Sequence, residues 1–480
     1  MNTNANGADA ALSIAGEWIP ASARETLPLV DPATLETIGR VPVATRQDLD
    51  RALEAAAAAA PAWRRTSAYE RSAILRRAAQ AIREDVDTIA RSLTREQGKT
   101  LAEARGEVLG AADTFDWFAE EGRRAYGRVI PPRASGERWL VVREPVGPVA
   151  AFSPWNFPAM LSSRKIAASL AAGCPCIIKP AEETPTPAIA FARALEQAGL
   201  PSGVLQIVLG VPGDISSHLI ASPVIQKLSF TGSTAVGRHL ARLAGEHLKK
   251  STFELGGHAP VVVFDDADLA RTVDLLVAGK VRNAGQVCIA PTRMYVQKGI
   301  YREFVDRLGG ALGAVRVGNG LDAANRMGAM ANARRIDAMQ GLVEDARAHG
   351  ATLVQGGMRA AEGGHFWQPT LLSDVPADAR VMHEEPFGPL ALVNPFDDLE
   401  DAAREANGLP YGLAAYAFTT SMKRSIAIGE AFETGVVGIN NLNVSIAEAP
   451  FGGVKDSGWG SEAGQEGLEA YLHTKFISEV

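Results

Sequence analysis

The chain's 480 residues are 46% hydrophobic and 21% charged, an ordinary globular composition long enough for two or three domains and a large core. A net charge of −7, spread along the sequence rather than gathered into a tail, argues against a nucleic-acid backbone or an anionic membrane as partner. Three cysteines are too few for a disulfide framework and suit a reducing compartment, so a cytoplasmic protein is expected.

The opening MNTNANGADA has neither the basic segment nor the apolar stretch of a signal peptide, and residues 1 to about 10 read as a flexible tail. From Leu49 to Arg124 apolar residues recur at helical spacing, through DLDRALEAAAAAAPAW, SAYERSAILRRAAQAIREDVDTIARSLTREQ and LAEARGEVLGAADTFDWFAEEGRRAYG. After Gly147 the texture alternates: strands in PVAAFSP, CIIKP, VLQIVLG, IQKLSFTG and STFELGG are separated by helices in RKIAASLAAG, PAIAFARALEQAG, ISSHLIAS and AVGRHLARLAGEHL. Such alternation implies crossover units and a parallel sheet, hence an α/β fold. A second alternating block runs from APVVVFDD to about GVVGINN. ERWLVVREPV (137–146) and the terminal YLHTKFISEV fit neither block; they are strand-like, and edge strands of this kind often pair with another subunit. No apolar run is long enough to span a bilayer.

Four stretches are candidates for chemistry. The G-x-G-x-x-A match GWGSEA (Gly458–Ala463) has no strand before it and too little chain after it for a nucleotide-binding unit, and is rejected. LSFTGSTAVGRHL is better placed, because Gly232 and Gly237 lie where a strand turns into a helix and Ser233 or Thr234 caps that helix, whose amides then face an anion. Lys179 and Glu182 follow a strand at its carboxyl end, the edge where open α/β sheets bind ligands; they fit ribose contacts, although spacing alone favours a solvated charged loop. NAGQVCIAPTR sets Cys288 near the permissive Gly285. A lone thiol is usually a small buried hydrophobe, and a catalytic one needs help from amide dipoles, a helix end or a positive charge.

Partners for that thiol stand at two strand ends. Glu254 of FELGGHAP fits a general base or a capping carboxylate, and Asn156 of SPWNFP fits an oxyanion donor or a turn residue. Glu254 and His258 have a metal-ligand spacing, but the intervening Gly256 and Gly257 speak against a helix, and no metal site is expected. Cys174 and Cys176 flank Pro175 as small buried residues. No histidine stands in a context that nominates it as the base of a cysteine protease.

Together SPWNFP, KPAE, FTGSTAVG, FELGGHAP, GQVC, EEPFGP and PFGGVKDSG resemble the aldehyde dehydrogenase superfamily, in the same order, over nearly the whole chain and with Cys288 34 positions after Glu254. The resemblance implies a Rossmann-type cofactor domain (11–125 and 147–255), an α/β catalytic domain (256–453) and a small β oligomerisation element (126–146 and 454–480) in a homodimer or homotetramer. Cys288 is then the nucleophile, Asn156 and the Cys288 amide the oxyanion donors, and Glu254 the base that activates water. The cofactor is NAD, with NADP possible: Lys179, Glu182 and Glu385 lie at the riboses, Trp155 and Ser233 near the phosphates, and Phe387 beside the nicotinamide ribose.

Arg164, Arg282 and Ser445 match the positions at which the succinate-semialdehyde dehydrogenase branch clamps a distal carboxylate, so succinate semialdehyde is the favoured substrate. Two features depart from that branch: Ala290 removes the second cysteine of a C-x-C pair, and Ser461 stands where an arginine is usual. GGHAP and QVCIAPTR are also similar to 2-oxoglutarate semialdehyde dehydrogenases. A CoA-acylating enzyme is a further alternative, against which Glu254 counts.

Overall fold

The computed structural model describes residues 9–361 and 363–480; residues 1–8 of the expected tail lie outside them. Helices form where the sequence starts them well. Thr45 with Asp48, Ser67 with Glu70 and Thr100 with Glu103 make three reciprocal capping boxes, opening the helices Arg46–Arg65, Ala68–Glu84 and Leu101–Glu121. Gly98, left-handed at φ 98°, ends the helix Val86–Gln97 that precedes the last of these.

Five parallel strands lie side by side in the order Leu205–Ile207, Cys176–Lys179, Val149–Phe152, Lys227–Thr231 and Lys250–Glu254. The one that comes first in the chain, Val149–Phe152, sits in the middle, so later strands are added outward on either side of it. That reversal opens a crevice at the carboxyl ends of the strands, where ligands bind in open α/β sheets. These strands are almost wholly buried, as expected for a parallel sheet covered on both faces. Antiparallel strands extend both edges: Ala11–Ile14 lies beside Leu205–Ile207, and Gly458–Trp459 beside Lys250–Glu254.

The chain leaves this sheet through Leu255–Ala259 and enters a second one of seven strands, parallel except for Thr352–Gln355 at one edge. Its order places Arg293–Gln297 and Pro260–Val263 at the centre. Each sheet carries its own hydrophobic core.

The two strand-like segments that matched neither block pair with each other within the chain. Arg138–Pro145 runs antiparallel to Leu472–Glu479 over eight residue pairs and also pairs with Arg128–Ile130, forming a small three-stranded sheet. Of the stretch 454–480, Gly458–Trp459 therefore joins the first sheet, and the helix Gly464–Glu469 packs on Pro158–Ala172. Among the described residues no helix is long and apolar enough to cross a membrane.

Candidate active site

Two strand ends and one turn converge on Cys288. Glu254 is the last residue of its strand and almost fully buried. Asn156 lies in the short loop between Val149–Phe152 and the helix Pro158–Ala172. Cys288 arrives from the second unit by way of the helix Leu269–Val281 and a turn in which Asn283 (φ 49°, ψ 36°) and Ala284 (φ 51°, ψ 36°) are left-handed. Gly285 continues the turn at φ 70°, and a Cβ there would sit 2.1 Å from the Gly388 carbonyl oxygen, so only glycine fits. Left-handed non-glycine residues cost roughly 1–3 kcal/mol each and persist where surrounding contacts over-determine them.

Those contacts are present. The Asn283 amide donates to Glu103 Oε1 at 2.8 Å, and Gln286 Nε2 donates back to the Asn283 carbonyl at 3.0 Å. Gln286 Oε1 in turn accepts from the Ala331 amide at 2.9 Å. Asn156 Nδ2 donates to the Gln286 carbonyl at 3.2 Å, which aims the side-chain amide at the segment leading to Cys288.

Cys288 is half-buried and packed against the second core, with Sγ donating to Glu254 Oε1 at 3.3 Å. Burial first, and then the Glu254 carboxylate, push the thiol well above its usual range. Glu254 is itself raised, by burial and then by Glu462, while Lys165 and Arg164 oppose the shift. The sequence led us to expect a dipole or positive charge as the dominant help for the thiol. The structure instead sets a carboxylate acceptor against a protonated thiol, with Arg164 as a weaker opposing influence. Glu254 Oε2 is buried with no partner, which leaves this oxygen of the carboxyl open to a proton from elsewhere.

Arg164 is 2% exposed, donates to Ser445 Oγ at 2.7 Å and lies over the Phe451 ring at 4.7 Å. Its Nε is buried without an acceptor. Arg282, which is exposed, lies over the Phe157 ring at 4.8 Å, next to Asn156 in the chain. The structure thus brings Arg164 and Ser445 together, with Arg282 standing over a different ring.

The residues expected to hold the cofactor stand at a strand end, at a helix start and on the second unit. Lys179 ends its strand with a buried side chain that pairs with the more exposed Glu182. Ser233, the N-cap of the helix Thr234–Glu246, accepts from the Val236 amide at 3.4 Å, and the Gly232 amide donates to the Glu254 carbonyl at 3.1 Å. A Cβ on Gly237 would meet Leu255 at 2.3 Å, so glycine lets this helix close on the sheet. Glu385 reaches in from the second unit: a Cβ on Gly256 would lie 2.6 Å from its Oε2. Glu385 Oε1 is buried without a partner, and burial raises this carboxyl to about 8. Trp155 and Phe387 meet edge to face at 5.5 Å, Phe387 with φ at 45°.

Sequence reasoning missed the supports. Lys165 and Glu462 form a buried ion pair beside Glu254, and Lys99 with Glu107 forms another beside Asn156. Neither pair left a signal, since its members lie 297 and 8 positions apart and carry no motif. The rejected glycine pattern is an edge strand and turn, and His258 is buried with Nε2 against the Val381 carbonyl at 2.9 Å. Among the described residues no group of three His, Cys, Asp or Glu is placed to hold a metal ion.

Comparison with known proteins identifies the family. The sequence profile of the Aldehyde dehydrogenase family matches residues 18–477. The chain is 53% identical to a 4-(hydroxymethyl)benzenesulfonate dehydrogenase of Comamonas testosteroni, over 98% of each chain. It is 44% identical to the NADP-dependent succinate-semialdehyde dehydrogenase of Escherichia coli strain K12, over 97% of this chain and 96% of that one. The crystal structure of a succinate-semialdehyde dehydrogenase from Burkholderia pseudomallei superposes with a TM-score of 0.97 at 43% identity, covering 100% of this chain and 99% of that chain. With a full-length match, a shared fold and a thiol set against a carboxylate at the sheet edge, the chain belongs to the aldehyde dehydrogenase family.

Proposed function

We propose that the enzyme oxidises an aldehyde carrying an acid group at its far end to the corresponding acid, with NAD as the preferred acceptor. The observation that carries this reading is Arg164. Its guanidinium is buried within electrostatic reach of Cys288, makes one hydrogen bond and no described ion pair, and leaves Nε unused. A buried cation with no carboxylate at ion-pair distance is costly unless something anionic arrives to pair with it, and a planar fork suits an oxyacid group. Ser445 adds a hydroxyl on the same side, and Arg282 is the second cation of the proposed clamp.

Chemically, Glu254 takes the proton from Cys288 Sγ and the thiolate adds to the aldehyde carbon. Asn156 Nδ2 and the Cys288 amide hold the oxyanion that forms. What the oxidised nicotinamide supplies when bound is acceptance of the hydride from that carbon, which leaves Cys288 as a thioester. Glu254 must release the thiol's proton to solvent before the second half-reaction. Its carboxylate, whose Oε2 has no partner in the structure, then takes a proton from the water that attacks the thioester, and the acid leaves as the Cys288 sulfur recovers that proton. This second role favours hydrolysis over transfer to CoA.

The crevice fits such a cofactor. Its orphaned Glu385 oxygen calls for a hydroxyl donor, and the capped helix at Ser233 offers amides to a pyrophosphate. Lys179, Glu182, Glu385 and Phe387 would contact the riboses, and Trp155 and Ser233 the phosphates, with Gly232 and Gly237 allowing the close approach. An added 2′-phosphate would meet the Glu182 carboxylate, a repulsion that solvent at this partly exposed site reduces without removing. NAD should therefore give the higher kcat/KM; equal values with NADP would overturn the preference.

Among acid-bearing aldehydes, succinate semialdehyde is our first candidate and 2-oxoglutarate semialdehyde the longer alternative. A second reading, an aromatic aldehyde with a sulfonate as its far anion, is favoured by the 53% identity to a protein named for 4-(hydroxymethyl)benzenesulfonate. The deciding experiment assays succinate, glutarate and 2-oxoglutarate semialdehydes, 4-formylbenzenesulfonate, butanal and benzaldehyde with each cofactor. Anionic aldehydes should exceed their neutral counterparts by at least about tenfold in kcat/KM, and Arg164→Ala should remove that advantage through KM. Equal rates for neutral and anionic aldehydes would sink the clamp. Free thiols fit a reducing cytoplasm, and the family resemblance suggests a dimer or tetramer.

A further inference from the structure

We propose that Lys99 is a positioning residue for the oxyanion site, acting through the Asn156 carbonyl. The inference rests on the reading of Cys288 as nucleophile and Asn156 as oxyanion donor, and goes beyond it by assigning a buried ion pair that takes no part in the chemistry.

Lys99 has a fully buried side chain at the start of the helix Leu101–Glu121. Its ammonium donates to the Asn156 carbonyl at 2.7 Å and pairs with Glu107, two turns into that helix. The same carbonyl accepts a second hydrogen bond, from Asn283 Nδ2 at 2.9 Å. One oxygen atom thus ties together the Asn156 loop and the left-handed turn that delivers Cys288. Glu103, on the same helix, holds the same residue of that turn by accepting from the Asn283 backbone amide.

Glu107 does a related job. Its Oε1 accepts from the Ala159 and Met160 amides at 2.8 and 3.2 Å, capping the helix Pro158–Ala172, whose own N-cap residue Phe157 makes no side-chain cap. That helix carries Arg164. The ammonium also sits over the Phe157 ring at 4.0 Å, the ring on whose face Arg282 lies. The first turns of one helix therefore grip both proposed oxyanion donors, the Asn156 amide and the backbone of the Cys288 turn. Hydrogen bonds to a charged donor are short and directional, so the charge fixes the peptide plane from which the Asn156 side chain projects. A displacement of about 1 Å at an oxyanion donor is enough to slow the step it serves about a hundredfold.

The alternative is that the pair only holds two helices together. The test uses Lys99→Met and the double variant Lys99→Met/Glu107→Gln, which leaves no unpaired buried charge. Four quantities are read on the full-length enzyme: aldehyde turnover, KM for the nicotinamide cofactor, acylation of Cys288 by p-nitrophenyl acetate, and alkylation of Cys288 by iodoacetamide. Acylation develops an oxyanion and alkylation does not. A positioning role predicts that turnover and acylation fall together by at least about tenfold, while alkylation and the cofactor KM stay within about twofold. If the single variant does not fold, the double variant decides.

The proposal is overturned if the double variant acylates and turns over within about twofold of the native enzyme. It is equally overturned if alkylation falls along with acylation, or if the double variant does not fold, since those results describe a structural pair. Failure of the underlying reading looks different: native enzyme whose Cys288 is not acylated by the ester, or a Cys288→Ala variant that still oxidises aldehyde.

Discussion

Cys174 and Cys176 differ from Cys288 in surroundings far more than in acidity. Cys174 and Cys176 are completely buried, and burial pushes their thiols up to about 11 and about 12. Cys288 is shifted in the same direction by the same leading cause. A raised thiol therefore does not distinguish a structural cysteine from a reactive one. Two other features do: solvent reaches Cys288, and a carboxylate oxygen stands 3.3 Å from its sulfur. Cys174, by contrast, has the Tyr471 carbonyl at 3.5 Å, which accepts a hydrogen bond but cannot carry a proton away. Reactivity here comes from a base in contact with the thiol.

The largest test removes the distinguishing atom. Cys288→Ser should lower aldehyde oxidation to below about a thousandth of the native rate, as loss of a nucleophile does in enzymes whose groups act as a unit. Cys176→Ala should leave kcat within about twofold. Iodoacetamide followed by peptide mapping should label Cys288 and spare the buried pair in the folded enzyme; faster labelling of Cys174 would reverse the comparison.

Next in size is Glu254→Gln, which keeps the shape and removes the base. Turnover should fall roughly 10²- to 10⁴-fold. The pH behaviour follows from the signs. In the native enzyme the raised Glu254 carboxyl must lose its proton before it can accept another, so the acid limb of the rate profile should lie above the usual glutamate range, and it should vanish in the variant. The carboxylate is also the second cause, after burial, of the raised thiol. Without it, the pH midpoint for alkylation of Cys288 should move down. An unchanged midpoint would mean that Glu254 and Cys288 do not interact in solution.

Asn156→Ala comes third, with a loss of roughly 10²- to 10³-fold in kcat from one missing oxyanion donor and little change in KM for the cofactor. Its neighbours show how far the sequence could be read. The strand ends carrying Asn156, Lys179 and Glu254 were legible, because alternating apolar runs bounded by Gly and Pro fix where parallel strands stop, and ligands gather at those stops. Gly285 was legible as a close-approach position, and its contact with Gly388 shows why. The supports of those residues were not. Lys99 follows a helix-ending glycine and touches Asn156 57 positions away, and Glu462 reaches Lys165 across 297. Side chains that meet only once distant parts of the chain have folded together leave no periodicity and no spacing. The segments 137–146 and 472–479 illustrate the same limit: each was recognisable as a strand, while its partner became known only from the register.

The smallest effect belongs to Cys174→Ala, and it sharpens the comparison because its sign changes with pH in a calculable way. Removing a buried sulfur leaves a small void and one lost weak hydrogen bond, about 1 kcal/mol of stability near neutral pH, with no change in kcat. The folded thiol, raised to about 11, keeps its proton above the point near 8.5 where an unfolded thiol loses it. Between those values the folded state binds more protons than the unfolded state, so this group lowers native stability as pH rises, by at most about 1.4 kcal/mol per unit. Alanine has no such proton. The stability gap between variant and native enzyme, measured by urea unfolding, should therefore shrink above pH 8 and change sign by pH 10, and a gap independent of pH would show that Cys174 is not held as a buried thiol.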